Sequence, residues 1–395
     1  MFRTFEFIDV ADWCRPAQDE DDLIATPRTW RQVTPSEEWS PCPVPQTEPP
    51  GLGEHLISQR FCRPYKLPGS IIAHLDNVIL KNNSLLVLVK ENLALTEGYG
   101  CREVMELALR RYPTYHNVYM AEFDFKNQRR REPIKGYEIG EERPVVVIDT
   151  PCVYLSFRDD DRNIGHWLIE GIIRMMCLDQ IPALRNLPLL VRAPLTQYQS
   201  DVMALFKIDN PYVIMANESD VIVKDLYFPS FPHDAYARKD ALDWLRNRLL
   251  ANLPAGEARP KRRILISRAD ANTRRVTTED AIIEAMRPLG FEVLTLSPLT
   301  IDERLRLFAD AEIIISPHGG GSTWAFCCPP GCGFVELQSV TYASDFYVGI
   351  CHLMDLRYYA VLGEEVNNLG DYSIEVDHVR KAVAELLSGR ETPPG

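Results

Sequence analysis

The chain has 395 residues, 46% of them apolar, and 56 acidic against 43 basic side chains give it a formal charge of -13. This length holds two or three domains with buried cores. The acidic balance and the lack of a long basic stripe exclude a run of phosphates as a partner, so nucleic acid is not expected.

Met1 to Val10 carries Arg3, Glu6 and Asp9, which breaks the apolar run a signal peptide needs, and no stretch nears the roughly 20 apolar residues that span a bilayer. These features predict a soluble, cytoplasmic protein without a transmembrane segment; peripheral membrane association and self-association stay open. Ten cysteines stand at 14, 42, 62, 101, 152, 177, 327, 328, 332 and 351. None has the Cys-x-x-Cys spacing of a zinc site, which predicts buried reduced thiols.

Residues 16–50 are rich in proline and acids, which predicts an extended N-terminal arm over residues 1–60. Residues 71–95 read as hairpin strands around the polar Lys81-Asn82-Asn83. An α/β pattern follows. Val145 to Asp149 is a strand, and Asn163 is a candidate N-cap for a helix over 164–178. Residues 189–191 and 213–215 are strands on either side of a helix at 200–206, and 241–250 is a further helix. Alternating strands and helices predict a parallel sheet covered on both faces, giving a first α/β domain over 61–252.

The Pro/Gly/Ala segment 252–260 reads as a linker to a second domain over 260–395. There, 263–267 is a strand, Thr277 caps a helix with Ile282, Ile283, Met286 and Leu289 at helical spacing, and Gly290 ends it. Residues 291–296 form the next strand. Thr300 and Glu303 form a capping box for a helix to Ala309, and Ile313-Ile314-Ile315 is a strand buried on both faces. The turn 318–321, a short helix and a strand at 334–337 follow. The predicted fold is α/β, with two Rossmann-like domains whose parallel sheets face a central cleft, preceded by the Pro-rich arm and the hairpin region.

Ligands of open parallel sheets bind at the carboxyl ends of strands. His318-Gly319-Gly320-Gly321-Ser322-Thr323 stands there, between a strand and a helix start. Its glycines let backbone amides approach an anion, and the helix start adds the positive end of a dipole. Three glycines also suit a plain tight turn. Arg268 follows the first strand of the same domain, with Arg274 and Arg275 behind it, and arginine forks clamp phosphate oxygens. Glu336, near the end of the next strand, is positioned to accept from ribose hydroxyls or to be a surface carboxylate. A dinucleotide fingerprint needs Gly-x-Gly-x-x-Gly after the first strand; here Trp324 takes the third glycine's place, and no Gly-Lys-Ser/Thr completes a phosphate loop of the Walker type.

In the first domain, His166 and Glu170 lie four apart on one helix face. The carboxylate can fix the imidazole tautomer and raise its basicity, as a general base requires, or the pair can be a buried structural contact. Asp159-Asp160-Asp161 contains an Asp-x-Asp, but three like charges ahead of a helix read as solvated acids. No metal or other cofactor is expected.

Ser316-Pro317-His318-Gly319-Gly320-Gly321-Ser322-Thr323, with Pro329-Pro330-Gly331 and Val335-Glu336-Leu337, resembles the His-Gly-Ala-Gly, Pro-Pro-Gly and Glu-Leu pattern of glycosyltransferase family 61. Ile266-Ser267-Arg268, Arg274-Arg275-Val276 with Glu279, and Gly290-Phe291-Glu292-Val293 match the same pattern in order. Asn163 to Glu170 is similar to its Asn-x-x-His-Trp-x-x-Glu block. The resemblance spans roughly residues 145–365. The family's Ala, Leu and Asn around the glycines are here Gly320, Ser322 and Trp324, and its Asn before Glu279 is Thr278.

The resemblance implies a GT-B fold and an inverting, metal-independent transfer from a nucleotide sugar, usually a UDP-sugar such as UDP-xylose or UDP-N-acetylglucosamine. The acceptor is a glycan or glycoconjugate, as in bacterial members tied to capsule, exopolysaccharide or lipopolysaccharide. His166 and Glu170 are then the catalytic candidates, with Asn163 and Trp167 on the acceptor side. Arg268, Arg274, Arg275, His318 to Thr323 and Glu336 are the donor-binding candidates. A non-catalytic nucleotide- or glycan-binding protein and an NAD-linked nucleotide-sugar epimerase are the rival readings.

Overall fold

The computed structural model describes residues 3–39, 46–47, 65–67, 69–80, 87–90, 93–96, 118–120, 137–139, 144–155, 164–191, 194–215, 219–230, 238–253, 261–342, 344 and 346–388. The chain divides into two compact units. One comprises Met1–Glu37 and Lys66–Asp234, the other Glu38–Tyr65 and Ala235–Gly395.

The first unit is built on a mixed sheet, not the wholly parallel one expected. Its spine is an antiparallel pair, Ile71–Leu80 against Asp220–Pro229. On one side the chain turns back in antiparallel strands Val87–Lys90 and Leu93–Leu95, which places the sequence-predicted hairpin inside this sheet. On the other side Cys152–Tyr154, Leu189–Val191 and Tyr212–Ile214 follow in parallel. The apolar runs of these strands bury Leu75, Val78, Tyr154, Leu190, Val223 and Phe228 in one core.

The acidic segment expected to be irregular, extended chain forms regular elements over residues 20–32. Glu20–Ala25 is a helix whose N-cap, Asp19, accepts from the Asp22 amide at 2.8 Å, and its first-turn acids sit at the positive end of the dipole. Leu23 is fully buried, and Thr29–Gln32 pairs with the sheet spine. Residues 3–37 thus belong to the first unit. Gln46–Thr47 pairs with a strand of the second unit.

The boundary also shifts. Lys239–Leu250 falls in the second unit because Ala241, Leu242, Leu245 and Leu249 are buried there, packing on Gly320–Cys327 and Ile301–Ala309.

The second unit is an open parallel sheet. Across it run Phe291–Leu294, Arg262–Ile266, Ala311–Pro317, Gly333–Ser339 and Arg357–Glu365, all parallel. Numbered from Arg262 in chain order, the sequence across the sheet is 2-1-3-4-5, a doubly wound order. Helices Glu279–Met286 and Val376–Ser388 pack together on one face. The 3-10 helix Gly320–Cys327 packs with Ile301–Ala309 and Phe346–Leu353 in the other layer. Alternation along each strand sorts the side chains: Ile313, Ile315, Val335 and Leu337 serve the first core, which leaves Ser316 and Glu336 to the opposite face.

Helix starts follow the sequence in part. Thr300 and Glu303 form the full capping box. Thr277 is not a cap: its hydroxyl donates to the Tyr372 carbonyl, and Thr278, at the N-cap, donates to that of Ile374. Gly290 ends this segment at φ +78°, a left-handed conformation that suits glycine.

Candidate functional site

The doubly wound order reverses between the strands Arg262–Ile266 and Ala311–Pro317, where helices leave to opposite faces; crevices at such points hold ligands. A cavity of about 250 Å³ opens there, lined by residues at and beyond the ends of three neighbouring strands, among them Ser267, Arg268, Asp270, Leu296, Ser297, Ser316, Gly319, Gly321 and Ser322. A larger cavity, about 500 Å³, lies at the opposite edge near Ala311 and Gly331. It holds none of the candidate residues.

Arg268 is placed by its neighbours. Glu279 receives the Arg268 amide at 3.1 Å on one oxygen and the Ser267 hydroxyl at 2.8 Å on the other, which fixes the loop leaving the first strand. The Arg268 guanidinium donates to the His318 and Thr273 carbonyls, each at 3.3 Å, at the long end for N–H···O bonds. Its buried Nε has no acceptor among the described residues. Burial, and then the charge of Arg274, lowers its pKa from the usual guanidinium value. Arg268 is therefore a desolvated cation that an anion would stabilise.

Gly319 makes room for it. Its φ of 170° is extended backbone open to any residue, yet a Cβ there would collide with the guanidinium. At Gly321 a Cβ would lie 2.6 Å from Leu296 Cδ1. These glycines thus let two side chains press against the turn, a demand the sequence did not reveal. Gly320 opens the 3-10 helix, whose first amides lack partners within the helix.

The two arginines behind differ. Arg274 adopts φ +56°, at a cost of roughly 1 kcal/mol, and its charge reaches Arg268. Arg275 is held by Asp371, whose carboxylate accepts from the Arg275 amide at 2.8 Å and from its guanidinium at 3.3 Å. The amide of Arg275, then Asn367, hold Asp371 below the usual carboxylate range.

Glu336 is not at the surface. It is fully buried and accepts from Tyr358 at 2.5 Å and Gln338 at 3.0 Å, with His318 Nδ1 at 2.6 Å. Its period-2 position on the strand turns it into the layer above the sheet, so its role is to hold His318. Ser322 and Thr323 are also buried. Ser322 Oγ meets Ser316 Oγ at 2.6 Å, and Thr323 Oγ1 meets the Tyr347 hydroxyl, which itself donates to the Gly319 carbonyl at 2.5 Å. These hydroxyls brace the turn.

In the first unit the expected helix 164–178 is broken in character. Ile164–His166 is α, Trp167–Gly171 a π turn, Ile172–Met175 a 3-10 turn, and Met176–Gln180 α again. Such π turns gather at functional sites. His166 Nδ1 contacts the Glu170 carboxylate; the histidine side chain is 14% exposed and the acid is buried. Trp167 is buried, which places it in the core and not on an acceptor-facing surface. Arg174, absent from the sequence candidates, is buried below: it donates to the carbonyls of Glu170 and Pro229 and lies over the Tyr154 and Phe228 rings. Asn163 and Asp159 to Asp161 lie outside the described residues. Among the described residues no group of three or more His, Cys, Asp or Glu is arranged to hold a metal ion, and no helix is long and apolar enough to cross a membrane.

Residues 164–335 match the family model Glycosyltransferase 61, which spans both the His166–Glu170 segment and the glycine turn. Among solved structures, the E. coli heptosyltransferase WaaC with ADP aligns at 9% identity over 60% of this chain and 98% of its own, with a TM-score of 0.35. The dodecameric iron-containing heptosyltransferase TibC in complex with ADP-D-beta-D-heptose aligns at 12% identity over 67% of this chain and 84% of its own, with a TM-score of 0.33. No curated protein matches the sequence.

Proposed function

We propose that the chain is an inverting glycosyltransferase of GT-B fold that takes a nucleotide sugar, a UDP-sugar, and transfers the sugar to a glycan or glycoconjugate acceptor in surface-polysaccharide synthesis in the cytoplasm. The observation that carries this reading is Arg268, a desolvated guanidinium with an unmatched Nε, at the strand-order reversal of a parallel sheet. A diphosphate supplies the charge and acceptor oxygens that this group lacks. The match to a glycosyltransferase family over this segment supports it.

In the reaction, the acceptor hydroxyl attacks the anomeric carbon opposite the leaving nucleotide, forming one C–O bond as the sugar–phosphate bond breaks. His166, held by Glu170, takes the hydroxyl proton. Arg268, Arg274 and the amides at the start of the 320–327 helix stabilise the charge that accumulates on the diphosphate.

Calorimetry against UDP, GDP, CDP and ADP tests the grip. One of these, UDP on this reading, should bind the parent. Arg268→Ala should weaken it by roughly 10- to 100-fold, the scale of one charged hydrogen-bonding group at about 1.5–3 kcal/mol. Unchanged affinity in the variant would remove the arginine from the site, and silence toward all four would end the donor reading.

Transfer is also proposed to need no divalent cation, since guanidinium charge supplies the same electrostatic stabilisation. EDTA should leave the rate unchanged. If it abolishes transfer and magnesium or manganese restores it, Asp159 and Asp161 become the leading ligands.

A further inference from the structure

The cavity at the strand reversal has two chemically different sides. Toward the strand Ala311–Pro317 stand Arg268 and the turn at Gly319 and Gly321. Toward the strand Phe291–Leu294 stand Asp270 and Ser297, whose hydroxyl donates to the Asp270 carboxylate. Leu296, pressed on Gly321, lines the same cavity. Asp270 is exposed and forms no ion pair among the described residues; its charge reaches Arg268 only at longer range.

A ligand with a diphosphate at one end and vicinal hydroxyls at the other fits this polarity in one orientation. The carboxylate repels phosphate and accepts from hydroxyls, while the guanidinium does the reverse. In doubly wound sheets of dinucleotide enzymes, an acid beside the second strand takes the ribose hydroxyls in this way. Glu336 cannot, because its oxygens are spent on Tyr358, Gln338 and His318.

We infer that Asp270, oriented by Ser297, is the ribose-recognition residue of this cavity and makes it selective for ribonucleoside over deoxyribonucleoside diphosphates. The inference rests on the donor reading above and adds to it the group that reads the sugar of the nucleotide.

The test is calorimetry with UDP and its 2′-deoxy and 3′-deoxy counterparts, on the parent and on Asp270→Asn, Asp270→Ala and Ser297→Ala. Both positions are exposed and follow strand ends, so the variants should fold, with melting temperature as the check. The parent should bind the ribonucleotide at least about 10-fold better than one of the deoxy forms, as expected for a charged acceptor on a hydroxyl. In both Asp270 variants that preference should collapse to about twofold, with deoxynucleotide affinity nearly unchanged; Ser297→Ala should reduce it partially.

A parent without preference, or Asp270 variants that keep it, would overturn the ribose assignment and leave the Arg268 grip standing. A parent that binds no nucleoside diphosphate would overturn both. A variant with lowered melting temperature is judged by the ratio of the two nucleotides within that variant, which a general loss of folded protein does not change.

Discussion

His166→Ala is expected to cut sugar transfer at saturating donor by about two to four powers of ten, the usual worth of a positioned general base, while nucleoside diphosphate affinity stays at the parent's value. The reasoning begins with Glu170. Its carboxylate is buried and contacts His166 Nδ1, so a proton on that nitrogen is held by the acid, and on the proposed mechanism Nε2 is the nitrogen that takes the acceptor's proton. Removing the ring leaves a buried carboxylate without that contact, so a loss of folding must be separated from a loss of chemistry. His166→Asn does so, because its amide keeps a donor near the Nδ1 position and has no titrating nitrogen. A folded His166→Asn protein with turnover as low as that of the alanine variant identifies the base. Transfer at the parent rate would remove His166 from the reaction.

Glu336→Ala should cost about 3–5 kcal/mol of stability by urea unfolding, the range for breaking a buried charged cluster by deleting one partner. The carboxylate is fully buried and serves Tyr358, Gln338 and His318 together. Burial, and then the Glu336 charge, push the Tyr358 phenol well above its usual range, so it stays protonated and donates. Once the acid is gone, the Tyr358 and Gln338 donors stay buried with an acceptor missing, each a penalty of its own. Glu336→Gln should lose less, since one carbonyl oxygen remains. A Glu336→Ala protein that unfolds at the parent's midpoint and loses only nucleotide affinity would return this residue to the ribose.

Much of the second unit was legible because its signals are local. Ile313-Ile314-Ile315 must be buried on both faces, Thr300 and Glu303 lie at capping distance, and Gly290 ends a periodic segment. The first unit was less legible. The antiparallel pairing of Ile71–Leu80 with Asp220–Pro229 joins residues about 150 positions apart, and strand patterns do not state which partner, or which direction, they will take. The helix after Asp19 was hidden by composition. Acids and prolines suggest extended chain over the segment as a whole, but a single N-cap and one buried leucine, Leu23, decide the local outcome.

By itself, the sequence determined an α/β protein with a glycine-rich turn after a buried strand, arginines after the first strand of the same sheet, and a histidine four residues from a glutamate. Each of these follows from spacing along the chain. Only the tertiary structure decided what those groups face. It buried Glu336 behind His318, gave Arg275 to Asp371, spent the Ser322 and Thr323 hydroxyls inside the turn, and placed Arg268 in one cavity with Asp270 and Ser297. The physical reason is that a side chain's charge and hydrogen-bonding capacity belong to its residue type, whereas its burial and partners depend on which strands lie adjacent, and adjacency in a doubly wound sheet is set by long-range pairing.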